Sequence, residues 1–318
     1  MFHLKAIKEV EEVEVVAVAD PNRSRMEGVR RKSGAKRGYL DFKELLHDSN
    51  VDAVAVNTPP RFHEEMVLES LAAGKHVLCE KPLARSVRGC QNIKTAQEVT
   101  GLVVLPVHNY AFTPCLGTAM DEIGKEQIGK VEKVELRFDN NLGSYRSRTD
   151  FRLREEYSIV EDLLPHVLSV IHVLVAPVTE LGDAKGWRKS HEVVDNLSLS
   201  LRAKDGVELE CAMNWTSLIP GFKVEVLGTE GKLDMDLMKF PYRVNADSKT
   251  GKKTYDKSGL GKYLDLIQLK HPAFRIQYRH FVDVVDGAEA PRFTIEDEVT
   301  MLRLMNEVVN QLSETSIS

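Results

Sequence analysis

Short β-branched runs that alternate with helical stretches through the first third of the sequence constrain this chain more than any other feature. Val13–Ala19 (VEVVAVA), Val51–Val56, Lys75–Cys79 (KHVLC) and Gly101–Val107 are near-continuous apolar runs. That is the pattern of strands covered on both faces of a parallel sheet. Apolar positions recur at helical spacing between and before them, over Arg23–Ser33, Phe42–His47, His63–Ala73 and Ser86–Thr100. Strand, helix and strand at this spacing build βαβ units, so the predicted fold class is α/β with a doubly wound parallel sheet.

The rhythm changes beyond about residue 110, which divides the chain into a first domain, 1–110, and a second, 111–318. A helix is predicted over Pro114–Ile123, and after it the strands lengthen and alternate: Val131–Phe138, Asn196–Ala203, Val207–Trp215 and Lys223–Leu227. Alternation predicts antiparallel strands with one solvated face, giving an α+β domain with a largely antiparallel open sheet. Lys204-Asp205-Gly206 marks a turn. The polar, Lys- and Gly-rich stretch Ala246–Tyr263 is predicted to be a surface loop, followed by helices at Phe274–Val285 and Thr294–Leu312. The last of these is expected to return to the first domain.

Composition excludes several classes of function. Forty-three basic and forty-eight acidic side chains leave a net charge of −5, against a nucleic-acid or anionic-membrane surface. No apolar run approaches the roughly 20 residues that span a bilayer. The opening Met1-Phe2-His3-Leu4-Lys5 has no basic segment leading into an apolar core, and Cys79, Cys90, Cys115 and Cys211 are scattered without a CxxC. Both features point to a cytoplasmic protein with free thiols and no metal site.

Four constellations carry chemistry. Asp20 ends a predicted strand ahead of Pro21-Asn22-Arg23, where dinucleotide-binding folds set a carboxylate against the adenosine ribose; a helix cap is the plainer explanation. Such a carboxylate favours NAD over NADP, and Arg23 would soften that preference. Asn57-Thr58-Pro59-Pro60-Arg61-Phe62-His63 follows a strand directly, at the end where open α/β sheets bind ligands, although an ordinary connection punctuated by proline reads the same way. Glu80-Lys81-Pro82 ends the next strand, and a lysine there can hydrogen-bond a reacting hydroxyl or carbonyl; a lone strand-end lysine is more often solvated. Asp162 and His166 stand at i and i+4, so a helix puts both on one face, with Pro165 in its first turn if the helix begins near Asp162. An imidazole beside a carboxylate makes a general acid/base near neutral pH, and a capping aspartate next to a structural histidine is the alternative.

Together these strings resemble the GFO/IDH/MocA oxidoreductases, which include glucose–fructose oxidoreductase and inositol dehydrogenase. The order is an aspartate, N-T-P, E-K-P, then Val107-His108-Asn109-Tyr110, then D-x-x-x-H, then Leu227-Gly228-Thr229-Glu230-Gly231. The resemblance implies a Rossmann domain and an NAD cofactor, with NADP a second candidate. Asp20, Asn57, Thr58, Pro59, His63, Glu80 and Lys81 would lie at the cofactor. Lys81, His166 and Asp162 would act on a sugar, cyclitol or related polyol lined by Asn109, Tyr110 and Arg152. It also implies a homo-oligomer, a dimer or tetramer built on the open sheet. A regulatory relative that binds sugar or nucleotide without turnover is the first rival, and NAD-dependent glycosidase chemistry the second.

The departures from the family pattern are local. Glu156-Tyr157-Ser158 replaces a glycine-rich run, Leu164 a glycine and Ser169 an aspartate. Arg146, Arg148, Arg152 and Arg154 crowd a short stretch before the D-x-x-x-H helix, a solvated edge or an anion site. Similar proteins open with a strand and G-x-G-x-x-G before a helix carrying a histidine, and His3-Leu4-Lys5-Ala6-Ile7 resembles that helix already under way. An acidic residue about 20 positions beyond the loop would put the last glycine just ahead of Met1. The expectation is a first strand and glycine loop missing from this sequence, with weak NAD binding and marginal folding as the consequence.

Overall fold

The computed structural model describes residues 2–142, 150–153, 155–239, 242–256 and 272–315. The chain divides into two units, Met1–His108 with Gln268–Leu302, and Asn109–Ile267 with Arg303–Ser318.

In the first unit α1 (Phe2–Ile7) precedes β1 (Ala17–Ala19), α2 (Arg23–Ser33), β2 (Arg37–Tyr39), α3 (Phe42–Leu46), β3 (Ala53–Val56), α4 (His63–Ala72), β4 (His76–Glu80), α5 (Val87–Thr100) and β5 (Val104–Val107). All its strand pairs are parallel, as the apolar runs predict. Helix ends follow local chemistry. Asn22 accepts the Arg25 N–H at the start of α2, and Gly34, at φ 85°, closes it in the left-handed conformation that glycine adopts without strain. Helix α8 (Pro272–Val285) returns to this unit, where Tyr278 and Phe281 join Ala6, Val10, Leu78, Leu105 and Val107 in one core cluster.

Among the described residues these parallel strands lie in two sheets, β1 with β2 and β3–β4–β5. One expectation is corrected here. The runs at Val13–Ala19 and Val51–Val56 are not buried strands on both faces. β1 is three residues long and half-buried, and Ala53 and Ala55 of β3 are exposed. Each of these strands has one edge without a hydrogen-bonded neighbour among the described residues. Strand β2, polar and short, carries no hydrophobic signal in the sequence.

The second unit is built on an eight-stranded sheet in the order β13-β12-β11-β10-β6-β9-β8-β7. Its strands are β6 (Val131–Asn141), β7 (Val178–Trp187), β8 (Asn196–Ala203), β9 (Glu208–Asn214), β10 (Thr216–Gly228), β11 (Gly231–Asp236), β12 (Arg243–Ser248) and β13 (Gly251–Asp256). Every pairing is antiparallel except β6 with β9. Leu136, Leu199, Cys211, Val224 and Leu233 point inward while the residues on either side of each are more exposed, the period-2 pattern of a sheet covered on one face. The predicted loop over Ala246–Tyr263 is corrected as well: its described part enters the β12–β13 hairpin. Only Val244 and Ala246 are buried there, so the hydrophobic signal is too thin to mark a strand, and β13 is a lysine-bearing edge.

Helix α6 (Pro114–Gly124) and helix α7 (Ser158–Leu174) belong to this unit. Helix α7 starts one turn earlier than predicted, so Pro165 lies inside it. Its early start is anchored by buried Ile159 and Val160 and by the Ser158 hydroxyl, which donates to the Arg152 carbonyl at 2.5 Å. The last helix, α9 (Ile295–Thr315), opens on a reciprocal cap. Thr294 N–H donates to Asp297 at 2.7 Å, and Asp297 N–H donates back to the Thr294 hydroxyl at 3.3 Å.

Candidate active site

The first unit sets its predicted residues at the carboxyl ends of β1, β3 and β4, where a parallel sheet presents ligand-facing loops. Asp20 follows β1 and accepts two Arg25 N–H bonds at 3.1 Å and the Asn22 N–H at 2.7 Å. Burial works to raise its carboxyl, but those hydrogen bonds and the guanidinium charge outweigh it, so Asp20 is held below its ordinary value as an ionised acceptor. A carboxylate with two oxygens can accept a ribose hydroxyl while keeping these bonds, so the residues present fit a dinucleotide.

Asn57, Thr58 and Pro59 form the loop after β3, and Glu80 with Lys81 closes β4. A chain of contacts that no local motif signals reaches the end of β4. The Tyr278 phenol lies 3.1 Å from His3 Nδ1; His3 Nε2 lies 2.7 Å from Glu80 Oε1, and Glu80 Oε2 accepts the Lys81 N–H at 3.1 Å. Burial would raise the Glu80 carboxyl, yet the His3 bond and the charges of His3 and Lys81 bring it below its usual value. Burial, with the Glu80 charge, pushes the Tyr278 phenol up. Two helices distant in sequence, α1 and α8, thus fix the carboxylate beside Lys81. No local spacing could have revealed them.

His63 is fully buried, with Nδ1 2.7 Å from the Pro82 carbonyl and Nε2 2.7 Å from the Thr58 carbonyl. One residue further along the lysine turn, Leu83 N–H donates to Glu298 at 3.4 Å, and the other oxygen of Glu298 meets His108 Nε2 at 2.5 Å.

In the second unit His166 sits half-buried on α7. The Tyr110 ring, from a 3-10 turn over Asn109–Phe112, meets the imidazole at 5.0 Å and 85°, and the Phe138 ring lies 5.9 Å away at 73°. Phe138 stacks in turn on Phe222 at 4.5 Å, and Tyr110 meets Phe222 edge-on at 5.3 Å. Phe138 and Phe222 were not among the predicted residues; the inward alternation of β6 and β10 is the only signal for them. Asn109 is buried in the same turn.

Arg152 and Asp162 form a two-pronged pair, with Nε to Oδ2 at 2.7 Å and Nη2 to Oδ1 at 3.0 Å, and side-chain exposures of 15% and 8%. Arg152 therefore already faces a carboxylate of this chain. Arg146, Arg148 and Arg154 lie outside the described residues. Among the described residues no cluster of His, Cys, Asp and Glu is arranged to hold a metal ion, and no helix is long and apolar enough to cross a membrane.

Residues 1–108 match the oxidoreductase family with an NAD-binding Rossmann fold, and residues 118–234 match the GFO/IDH/MocA C-terminal domain. Among curated relatives, D-apiose dehydrogenase of Paraburkholderia graminis is 26% identical over 79% of this chain and 68% of its own length. Myo-inositol 2-dehydrogenase of Thermotoga maritima is 23% identical over 98% of this chain and 93% of its own. Levoglucosan dehydrogenase, solved with NADH and levoglucosan, superimposes with a TM-score of 0.82 at 16% identity, covering 98% of this chain and 93% of that one. An oxidoreductase from Agrobacterium radiobacter, in complex with NAD+, L-tartaric acid and magnesium, gives 0.84 at 17%, covering 98% and 92%.

Proposed function

This chain belongs to the GFO/IDH/MocA oxidoreductase family, and we propose that it is an NAD(P)-dependent dehydrogenase of a secondary alcohol on a sugar, cyclitol or related polyol. Nicotinamide, when bound, supplies the hydride acceptor or donor. His166 takes the hydroxyl proton in the oxidative direction and returns it in reduction. Lys81 donates a hydrogen bond to the reacting oxygen and stabilises negative charge as it develops there. Asp20 receives the ribose hydroxyls, favouring NAD with NADP second, while Asn57, Thr58, Pro59 and Glu80 border the cofactor. Asn109, Tyr110 and Arg152 border the substrate, and Asp162 acts with Lys81 and His166 at the reacting group.

The observation that carries this reading is the aromatic setting of His166, which restricts an imidazole on α7 to one orientation while leaving it half-exposed for proton transfer. A panel of sugars and cyclitols assayed by NADH absorbance tests it. Turnover with at least one polyol is expected; NADH binding without turnover on any of them would favour a regulatory relative.

The reading extends to a cytoplasmic homo-oligomer. Across the outer face of the sheet, Glu210, Glu135, Glu225 and Asp234 stand directly opposite one another on four neighbouring strands. In the next row Lys223 stands opposite Arg137. Lys133 and Lys232 pair with Glu135 and Glu225 on this face, and a groove of about 760 Å³ runs along these residues, an open surface on which a second copy can pack. Sedimentation should give a dimer or larger; a monomer at every protein concentration would remove this part.

A further inference from the structure

His63, which follows the N-T-P loop in the sequence, is fully buried. Its ring lies between that loop and the lysine turn and reaches both. Nδ1 is 2.7 Å from the Pro82 carbonyl, one residue past Lys81, and Nε2 is 2.7 Å from the Thr58 carbonyl. An imidazole has nitrogens on opposite sides of a rigid ring; with both protonated it donates to the two carbonyls at once, and with one proton it donates to one of them and packs against the other. The same lysine turn is held on its neighbouring bonds by Glu80 at the Lys81 N–H and by Glu298 at the Leu83 N–H. His63 is therefore the connection in this set that reaches the loop after β3.

We propose that His63 is a positioning residue that locks the Lys81 turn to the Thr58 loop, so that the lysine and the cofactor-facing loop keep one geometry. This rests on the catalytic reading of Lys81 given above. Its energetic logic is preorganisation. A misplacement of about 1 Å at a reacting group can reduce turnover by roughly 100-fold, so a fixed turn is worth more than the strength of the contacts that hold it.

The test uses His63→Gln and His63→Phe in the full chain, alone and combined with Lys81→Met. Turnover of the single variants should fall by about tenfold or more, and adding them to Lys81→Met should lower it little further, because coupled residues are not additive. Independently of turnover, reductive methylation of Lys81 should change in rate by about threefold or more, as expected if the coupling holds. Lys36, 80% exposed, should keep its rate as the internal reference. Losses that multiply in the double variants, or an unaltered Lys81 methylation rate in either folded variant, would overturn the proposal. If the wild-type chain turns over no polyol, the dehydrogenase reading fails by itself, and the methylation rates still decide whether His63 sets the lysine. His63→Gln, smaller than the native ring, provides the folded comparison if His63→Phe overpacks the core.

Discussion

The Tyr110 ring meets the His166 imidazole edge-to-face, with centroids 5.0 Å apart and planes at 85°. This geometry fixes the imidazole by ring packing, and the phenol hydroxyl need not take part. Tyr110→Phe should therefore keep kcat within about threefold of wild type, whereas Tyr110→Ala, which frees the ring, should lower it by about tenfold or more. Steady-state kinetics of the two variants separate ring from hydroxyl; equal losses in both would assign the effect to the hydroxyl instead.

Removing the imidazole itself has a larger expected effect. His166→Ala should lower kcat by roughly 100-fold or more, the usual scale for losing a general acid/base, while NADH affinity measured by fluorescence stays near wild type. Turnover at the wild-type rate would assign the proton transfer to another group.

These two residues also show what the sequence made legible. D-x-x-x-H placed Asp162 and His166 on one helix, and E-K-P placed Lys81 at the end of a parallel strand, because each motif is local and its geometry follows from 3.6 residues per turn or from the strand end. The surroundings of those residues are not local. Phe138 reaches His166 from a strand, and Tyr278 with His3 reaches Glu80 from opposite ends of the sequence. Pairings of that kind depend on tertiary contacts that no spacing rule encodes. Helix α7 begins a turn ahead of the start that Pro165 suggests as a first-turn residue, because burial of Ile159 and Val160 extends it.

Sheet pairing in the first unit predicts a gradient of amide protection. Strand β4 is hydrogen-bonded on both sides, to β3 and β5, and Val77, Leu78 and Cys79 are buried. Strand β1 is bonded to β2 alone and is half-buried throughout. Hydrogen exchange read by mass spectrometry should show β4 peptides exchanging slower than β1 peptides by about tenfold or more, since fewer bonds and less burial lower the opening free energy. Equal protection would mean that the open edge of β1 is covered in solution.

Acid sensitivity should localise to Asp48. Its carboxyl accepts the Asn50 side-chain and main-chain N–H groups, bonds Arg37 and takes the Tyr39 hydroxyl, and these together hold it far below the ordinary carboxylate range against the opposing effect of burial. A carboxyl depressed in the folded state contributes stability that is complete above the unfolded value, about 3.9, and is lost as pH falls toward the folded one. The melting temperature should therefore drop on acidification below about pH 4, and Asp48→Asn should lower it at neutral pH while flattening that acid limb. An Asp48→Asn chain as acid-sensitive as wild type would place the titrating carboxylates elsewhere.

The Arg152–Asp162 pair bears on substrate charge as well as on stability. Both side chains are largely buried and bonded at two points, so removing one partner leaves the other charge uncompensated. Arg152→Ala should cost about 3–5 kcal/mol of stability, and Arg152→Lys should recover only part, because an ammonium does not reproduce the fork. Since Asp162 already balances the guanidinium, Arg152 offers a substrate carboxylate little net positive charge. Neutral polyols and their acidic counterparts should accordingly show similar KM values, and Asp162→Asn should lower KM for the acidic ones by releasing that charge. A wild-type enzyme with KM lower for acids by more than about tenfold would show instead that the pair admits an anion without being opened, and would make Arg152 a direct carboxylate ligand.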